Sequence, residues 1–262
     1  MRSRFMQELT TPEVEEYLKR GGDIALLPVG CVEMHGPHQP LGTDTYIAKA
    51  FALRMAELGD GLVLPEVHYS WAGATDGFAG TVSVEPELLM RLVEGIAAKC
   101  VGMGFRRFII VSVHAPNNMT LGLVVRRFFE KHKIPIVLSD PYRPLSDEAG
   151  EILGGAHSKH KEASLVLASL HILGQRDLYQ QEQMAYDDEA PPMCRPYWDM
   201  RPASTGWFMQ DPRHHACPSK DVSLQRGLRY FELQLAKLVP HLFEQLDLYI
   251  KEAAKQPNKG TW

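Results

Sequence analysis

Residues 23–44 read DIALLPVGCVEMHGPHQPLGTD, and the change of character part-way along this stretch decides the fold. Asp23 to Gly30 is an apolar run too short for a helix and without polar alternation, the pattern of a strand buried on both faces. From Glu33 to Asp44 the chain instead carries two carboxylates, Glu33 and Asp44, and two imidazoles, His35 and His38. No helix runs through Pro37 and Pro40. A buried strand that ends in an irregular loop crowded with oxygen and nitrogen donors is built to aim side chains at one point. Such donors hold zinc or manganese, so the chain reads as a metalloenzyme.

The flanking sequence supplies the rest of the architecture. Thr11-Pro12-Glu13 opens a helix with a capping residue, an early proline and a first-turn acid, and Gly21-Gly22 closes it. Asp44 to Gly59 carries a helical apolar stripe at Ile47, Ala48, Phe51, Ala52, Met55 and Leu58. A short strand follows at Gly61 to Pro65. Residues 68–81 form a Gly-rich loop with aromatics. Pro86 to Gly104 is an amphipathic helix, and Arg107 to Val113 is a strongly β-prone run that ends at His114. Helix returns over Asn117 to His132, strand over Pro135 to Ser139, and helix over Glu162 to Leu173. Val222 to Lys255 is a long terminal helix with a break expected near Pro240. Strand alternating with helix predicts an α/β fold, a three-layer α/β/α domain around a mostly parallel sheet. Residues 174–222 depart from this rhythm. Their prolines and their aromatics Tyr197, Trp198 and Trp207 predict an ordered, irregular excursion within a single domain spanning 1–262.

Composition narrows the class of function. The chain has 262 residues, 45% of them hydrophobic, enough for a substantial core, and a net charge of −4 with no basic stripe. Nucleic-acid partners are therefore not expected. No segment reaches the roughly 20 apolar residues of a membrane span, and the basic start at Arg2 and Arg4 leads into polar residues instead of a signal-peptide core. Cys31, Cys100, Cys194 and Cys217 are too scattered for a disulfide framework or a paired-cysteine metal site, so reduced thiols in a cytoplasmic protein are expected.

In open α/β sheets ligands bind beyond the carboxyl ends of the strands. That rule gathers Glu33, His35 and Asp44, after the first strand, with His114, after a later one. A further donor is expected from His157-Ser158-Lys159-His160-Lys161-Glu162. Residues 28–44 resemble the signature of the creatininase family of metal-dependent amidohydrolases, Pro-Val-Gly followed by Glu-x-His-Gly-Pro-His-x-Pro-x-x-x-Asp. The likeness continues at Phe78-Ala79-Gly80-Thr81, at Val113-His114-Ala115-Pro116-Asn117 and at His157 to Ser164. It also reaches Gly206, Asp211-Pro212 and Gly227, and so covers most of the chain. The resemblance implies a creatininase-like fold and two divalent ions (zinc, manganese or iron) bridged by Asp44. Glu33 and His114 would hold one ion, and His35 and Glu162 the other. A bridging hydroxide would open a small cyclic substrate at its carbonyl, and His157 would protonate the leaving atom. A homo-oligomer, a hexamer by family likeness, is also implied. His38, Trp71 and Asn117 are candidate substrate contacts.

Departures from the pattern matter too. In creatininase proper the residue two beyond the strand-end histidine is a glutamate; here it is Pro116, which disfavours creatinine as substrate. Met34 and Ala115-Pro116 stiffen the wall and suggest another ring or leaving group. A cyclic keto-polyol opened at a C–C bond, as by 3-dehydro-scyllo-inosose hydrolase, is the alternative to a cyclic amide. A metal-dependent isomerase or lyase and a non-catalytic binding protein are the remaining classes. Each ligand also has an ordinary explanation: Asp44 as a helix cap, Glu162 as a first-turn acid, His114 as a hydrogen-bonded strand-end histidine. The pair His214-His215 reads as surface or interface, and His160 as a solvated neighbour.

Overall fold

Strand β1 (Ile24–Pro28) is buried at every position, as expected of a strand covered on both faces. It sits inside a four-stranded parallel sheet with β2 (Leu62–Val63), β3 (Arg107–Val111) and β4 (Ile136–Ser139), in the order β2-β1-β3-β4. These elements belong to a computed structural model in which residues 1–142, 152–153, 162–186, 211–214 and 222–255 are described. Leu26 pairs with Val63 on one side and Ile109 on the other, and Val111 pairs with Ser139. The chain runs from β1 outward to β2, then crosses back to place β3 on the other flank of β1. The carboxyl ends of β1 and β3 therefore meet at the point where strand order reverses, the place where open parallel sheets open a binding crevice.

Helices cover both faces, giving the expected three-layer α/β/α arrangement. On one face Leu26, Ile109 and Val111 pack with Phe51 and Met55 of α2 (Thr43–Gly59), Val166 of α5 (Glu162–Ile172) and Phe231 of α7 (Leu224–Ala254). The Phe51 and Phe231 rings stack with centroids 4.0 Å apart. On the other face Leu27, Phe108 and Ile110 meet Tyr17 of α1 (Thr11–Lys19), Val93 of α3 (Pro86–Met103) and Leu121, Val124 and Phe128 of α4 (Asn117–His132). No described helix is long and apolar enough to cross a membrane.

Several boundaries differ from the sequence reading for local reasons. The cap of α1 is Thr10, one residue before the expected position, because Thr10 and Glu13 form a reciprocal capping box. Helix α2 begins at Thr43 behind Gly42, so Asp44 lies inside the first turn and is not its cap. The terminal helix runs unbroken through Pro240. A proline there forfeits a backbone hydrogen bond, a cost of about 3 kcal/mol. Pro240 itself is exposed, while its neighbours Val239 and Leu246 are buried against the sheet-facing core, and that packing carries the helix across. Of the 174–222 excursion, the described parts are residues 174–186, including the short helix α6 (Gln181–Met184), residues 211–214 and Val222.

Two glycines set close approaches. A Cβ at Gly30 would lie 2.2 Å from Thr45 Oγ1 and 2.5 Å from its backbone nitrogen, so only glycine lets the end of β1 abut the start of α2. A Cβ at Gly227 would lie 2.2 Å from the Ser164 carbonyl oxygen, where α7 crosses α5. Gly227→Ala is therefore expected to destabilise the fold by about 1–3 kcal/mol through overpacking, despite alanine's better helix propensity. The shift in urea midpoint measures it.

Glu66 gives a pH signature. Its carboxylate lies 2.8 Å from the half-buried Lys49 ammonium and 3.4 Å from His68 Nε2. The His68 hydrogen bond, helped by Lys49 and opposed by burial, lowers its pKa from 4.5 to about 2. A depressed folded-state pKa means stability that is complete above the ordinary value and lost as pH falls from about 4.5 toward 2. Glu66→Gln should flatten this acid limb by on the order of 1 kcal/mol, read from denaturant melts across that range.

Candidate metal centre

The loop that leaves β1 is pinned before it reaches the site. The Ser70 hydroxyl donates to the Gly30 carbonyl at 2.9 Å, and the Glu33 amide donates to Leu41 O at 3.0 Å. The Met34 amide donates to Thr81 Oγ1 at 3.0 Å, and the Thr43 hydroxyl to Pro40 O at 2.7 Å. These bonds fold residues 31–43 back over the carboxyl end of the sheet. The loop thus arrives beside the first turn of α2 and beside His114, just beyond β3.

Glu33, His35, Asp44 and His114 converge there, each 3% exposed or less. His114 Nδ1 lies 3.0 Å from Glu33 Oε1 and 2.9 Å from Asp44 Oδ2. His35 Nε2 lies 3.5 Å from Asp44 Oδ1 and 3.9 Å from Glu33 Oε1. The two oxygens of Asp44 therefore face two different imidazoles. In each ring the remote nitrogen is anchored on a carbonyl, which only accepts: His114 Nε2–H donates to Trp71 O at 3.0 Å, and His35 Nδ1–H to Glu33 O at 3.1 Å. That anchoring turns the other nitrogen of each ring toward the carboxylates, the arrangement in which an outer partner fixes a metal-ligating histidine.

The electrostatics are those of buried opposite charges. Burial works against a charged His35, but Asp44, with Glu162 and Glu33, outweighs it and pushes its pKa to about 10. His114 is raised in the same way, chiefly by Asp44 against burial. Asp44 is held well below the carboxylate range because His35 and His114 overcome its burial. Glu162, first residue of α5, feels the charges of all four groups, and burial is the main cause of its raised pKa. The carboxylates and imidazoles thus favour one another's charged forms. Divalent ions bind such groups with the imidazoles neutral and the carboxylates ionised. Asp44 Oδ2 is buried and receives no hydrogen bond despite its 2.9 Å approach to His114. An orphaned carboxylate oxygen within a mixed carboxylate and imidazole set suits zinc or manganese.

The other expected residues are placed as follows. His38 is 8% exposed, stacks on Tyr186 with ring centroids 5.0 Å apart, and leaves both ring nitrogens without a hydrogen bond. Burial lowers its pKa to about 4, so it is neutral at working pH. Trp71 is an exposed rim residue. A Cβ at Gly73 would lie within 4.0 Å of both the Trp71 indole and Pro116, which places these two side chains on one wall. Asn117 is buried, and its amide donates to Gly30 O and Ser112 Oγ at 3.3 and 3.2 Å, a scaffold contact instead of an open one. In the short helix Pro212–His214, His214 accepts the Asp211 amide at 3.3 Å. His157, His160, His215, Trp198 and Trp207 lie outside the described residues.

Two residues escaped the sequence reading. The Thr75 hydroxyl donates to Glu33 Oε2 from a different loop. Nothing in the spacing announces it. Cys31 places its sulfur, a Glu33 oxygen and a His114 nitrogen within 4.8 Å of one another. Its signal was parity, since residues i and i+2 of an extended segment share a side and Cys31 stands two before Glu33.

Known proteins resemble this chain in sequence and in fold. The family model Creatininase, described as creatinine amidohydrolase, matches residues 7–240. Creatinine amidohydrolase of Pseudomonas putida is 32% identical over 45% of this chain and 47% of its own. The mycofactocin precursor peptide peptidase of Mycobacterium ulcerans (strain Agy99) is 33% identical over 54% of this chain and 56% of its own. The 3-dehydro-scyllo-inosose hydrolase of Thermotoga maritima is 26% identical over 51% of this chain and 43% of its own. The chain spans about half the length of these curated relatives. Two solved structures, one described as "Creatininase Mn" and the other a mutant creatininase of "Zn-Zn type", each match with a TM-score of 0.73 at 24% identity, over 94% of this chain and 99% of theirs. At that identity the structural likeness speaks for the fold.

Because Asp44 faces both imidazoles, Asp44→Ala is expected to abolish retention of zinc or manganese after dialysis while leaving the helical circular dichroism intact. Elemental analysis of wild type and variant side by side reads the difference.

Proposed function

The chain belongs to the creatininase family, and on that premise we propose that it is a metal-dependent hydrolase opening a small cyclic amide or related carbonyl compound. Residues 1–262 are read as one domain. The observation that carries the proposal is the placement of the two Asp44 oxygens, each toward a different imidazole, which suits a carboxylate shared between two cations. Glu33 and His114 would complete one position, and His35 and Glu162 the other. Two ions held in this way would supply an activated water and polarise the substrate carbonyl.

The chain's own residues do the rest. The Trp71 carbonyl and the Glu33 carbonyl keep both imidazoles turned inward. The Thr75 hydroxyl occupies the second oxygen of Glu33, leaving the first toward His114. His157 is assigned the proton that the leaving atom needs, a task suited to imidazole because its pKa lies near working pH. The wall of Trp71 and Pro116 takes the apolar side of the substrate. His38 is a candidate polar contact, and Asn117 acts from beneath by holding the loop.

The names of two relatives, an amidohydrolase and a peptidase, denote cleavage of an amide C–N bond, which favours the amide reading. Pro116 stands where the resemblance puts a glutamate, which disfavours creatinine itself. The inosose hydrolase supports the second reading, C–C ring opening of a keto-polyol. A homo-oligomer is also proposed; Leu88 and Leu92 on α3 and Met119 and Leu123 on α4 offer exposed apolar surface for subunit contact. The buried free thiols of Cys31 and Cys100 suit the reducing cytoplasm.

The test is turnover of cyclic amides, short peptides and inososes by zinc- or manganese-loaded protein in oxygen-labelled water. One solvent oxygen should enter the product. Turnover without label would indicate an isomerase or lyase, and undiminished activity after chelation would refute the metal mechanism. His157→Ala should retain its metal content and lose about 10²–10⁴-fold in kcat, a split that separates proton donation from metal binding.

A further inference from the structure

The metal centre contains a donor that the carboxylate and imidazole set does not account for. Cys31 is fully buried, and its thiol reaches the Ser70 carbonyl only over a long 3.9 Å. Its sulfur, a Glu33 carboxylate oxygen and a His114 ring nitrogen all lie within 4.8 Å of one another. Zinc bonds of about 2.3 Å to sulfur and 2.0–2.1 Å to nitrogen or oxygen, set tetrahedrally, would separate such donors by about 3.6 Å. Closing these three onto one ion therefore needs shifts of only about 1 Å. A second observation points to the same place: Asp44, a residue only 2% exposed, has an Oδ2 without a hydrogen bond that lies 2.9 Å from the His114 nitrogen facing Glu33.

We propose that Cys31 is a sulfur ligand to the ion held by Glu33, Asp44 and His114, and that it biases this position toward zinc over manganese. The inference rests on the metal centre proposed above. Coordination replaces the S–H bond with a sulfur–metal bond, and the proton leaves to solvent. Thiolate is a soft donor that suits zinc, whereas manganese prefers carboxylate, carbonyl and water. Three oxygen and nitrogen donors alone would leave the choice open. Adding sulfur selects. The position also lies on the loop that Gly30 and Ser70 pin, so the sulfur is held in place before any ion arrives.

The test uses cobalt(II) as a spectroscopic stand-in for zinc in the full-length protein, stripped by chelation and reloaded. Wild type should show a near-ultraviolet thiolate-to-cobalt charge-transfer band together with visible ligand-field bands. Cys31→Ser should lose the former, keep the latter, and bind the same amount of cobalt by elemental analysis. Its preference for zinc over manganese in direct competition should fall at least about tenfold, the scale on which even supporting partners act. Cys31→Ala should behave alike. A wild-type spectrum with cobalt bound and no charge-transfer band would overturn the proposal while leaving the metal centre standing, and this readout needs no variant to fold. A band that survives in both variants would overturn it too. Failure of wild type to bind cobalt would overturn it together with the metal centre.

Discussion

Two carboxylates removed from water within a few ångströms of each other are the condition around which this molecule is organised. Glu33 and Asp44 are each 3% exposed or less, and both approach the same nitrogen of His114. Buried anions are strongly destabilising unless matched by cations and hydrogen bonds. The structure meets that demand with the imidazoles and with the Thr75 hydroxyl. Everything else in the region holds those groups against their mutual repulsion.

The parallel sheet makes the arrangement possible. Because β1 and β3 are neighbours that point the same way, a loop after one and a histidine after the other meet without any long excursion of the chain. Gly30 then lets the first turn of α2 press against the end of β1, which carries Asp44 to the same spot. Local bonds from Ser70 and Thr81 fix the loop. The cluster is thus assembled from rigid elements plus a strapped turn, the condition for its side chains to be held near their working positions in advance.

Much of this was legible in the sequence. The apolar run at β1, the helical stripe of α2 and the existence of β3, which stops at Val111 short of the expected Val113, follow from the apolar pattern, and the strand-end rule gathers four donors. The parallel order and the two covered faces follow from the alternation. What was not legible depends on contacts between loops distant in sequence: Thr75 reaches Glu33 across 42 positions. Cys31 was hidden for another reason, because cysteines are usually judged by their spacing to other cysteines and not by parity with neighbouring acids. Pro240 misled because its intrinsic cost is local, while the packing of α7 that outweighs it is tertiary. Asp44 could be taken for a cap only while the start of α2 was uncertain by one or two residues.

Trp71 divides its labour between main chain and side chain. Its carbonyl oxygen fixes the imidazole of His114, while its indole stands at the rim against solvent. Any amino acid at this position keeps the carbonyl. The ring on display can therefore be exchanged, enlarged or removed while the aim of the histidine stays as it is. Within one scaffold this uncouples innovation in what is welcomed at the mouth from upkeep of the machinery below.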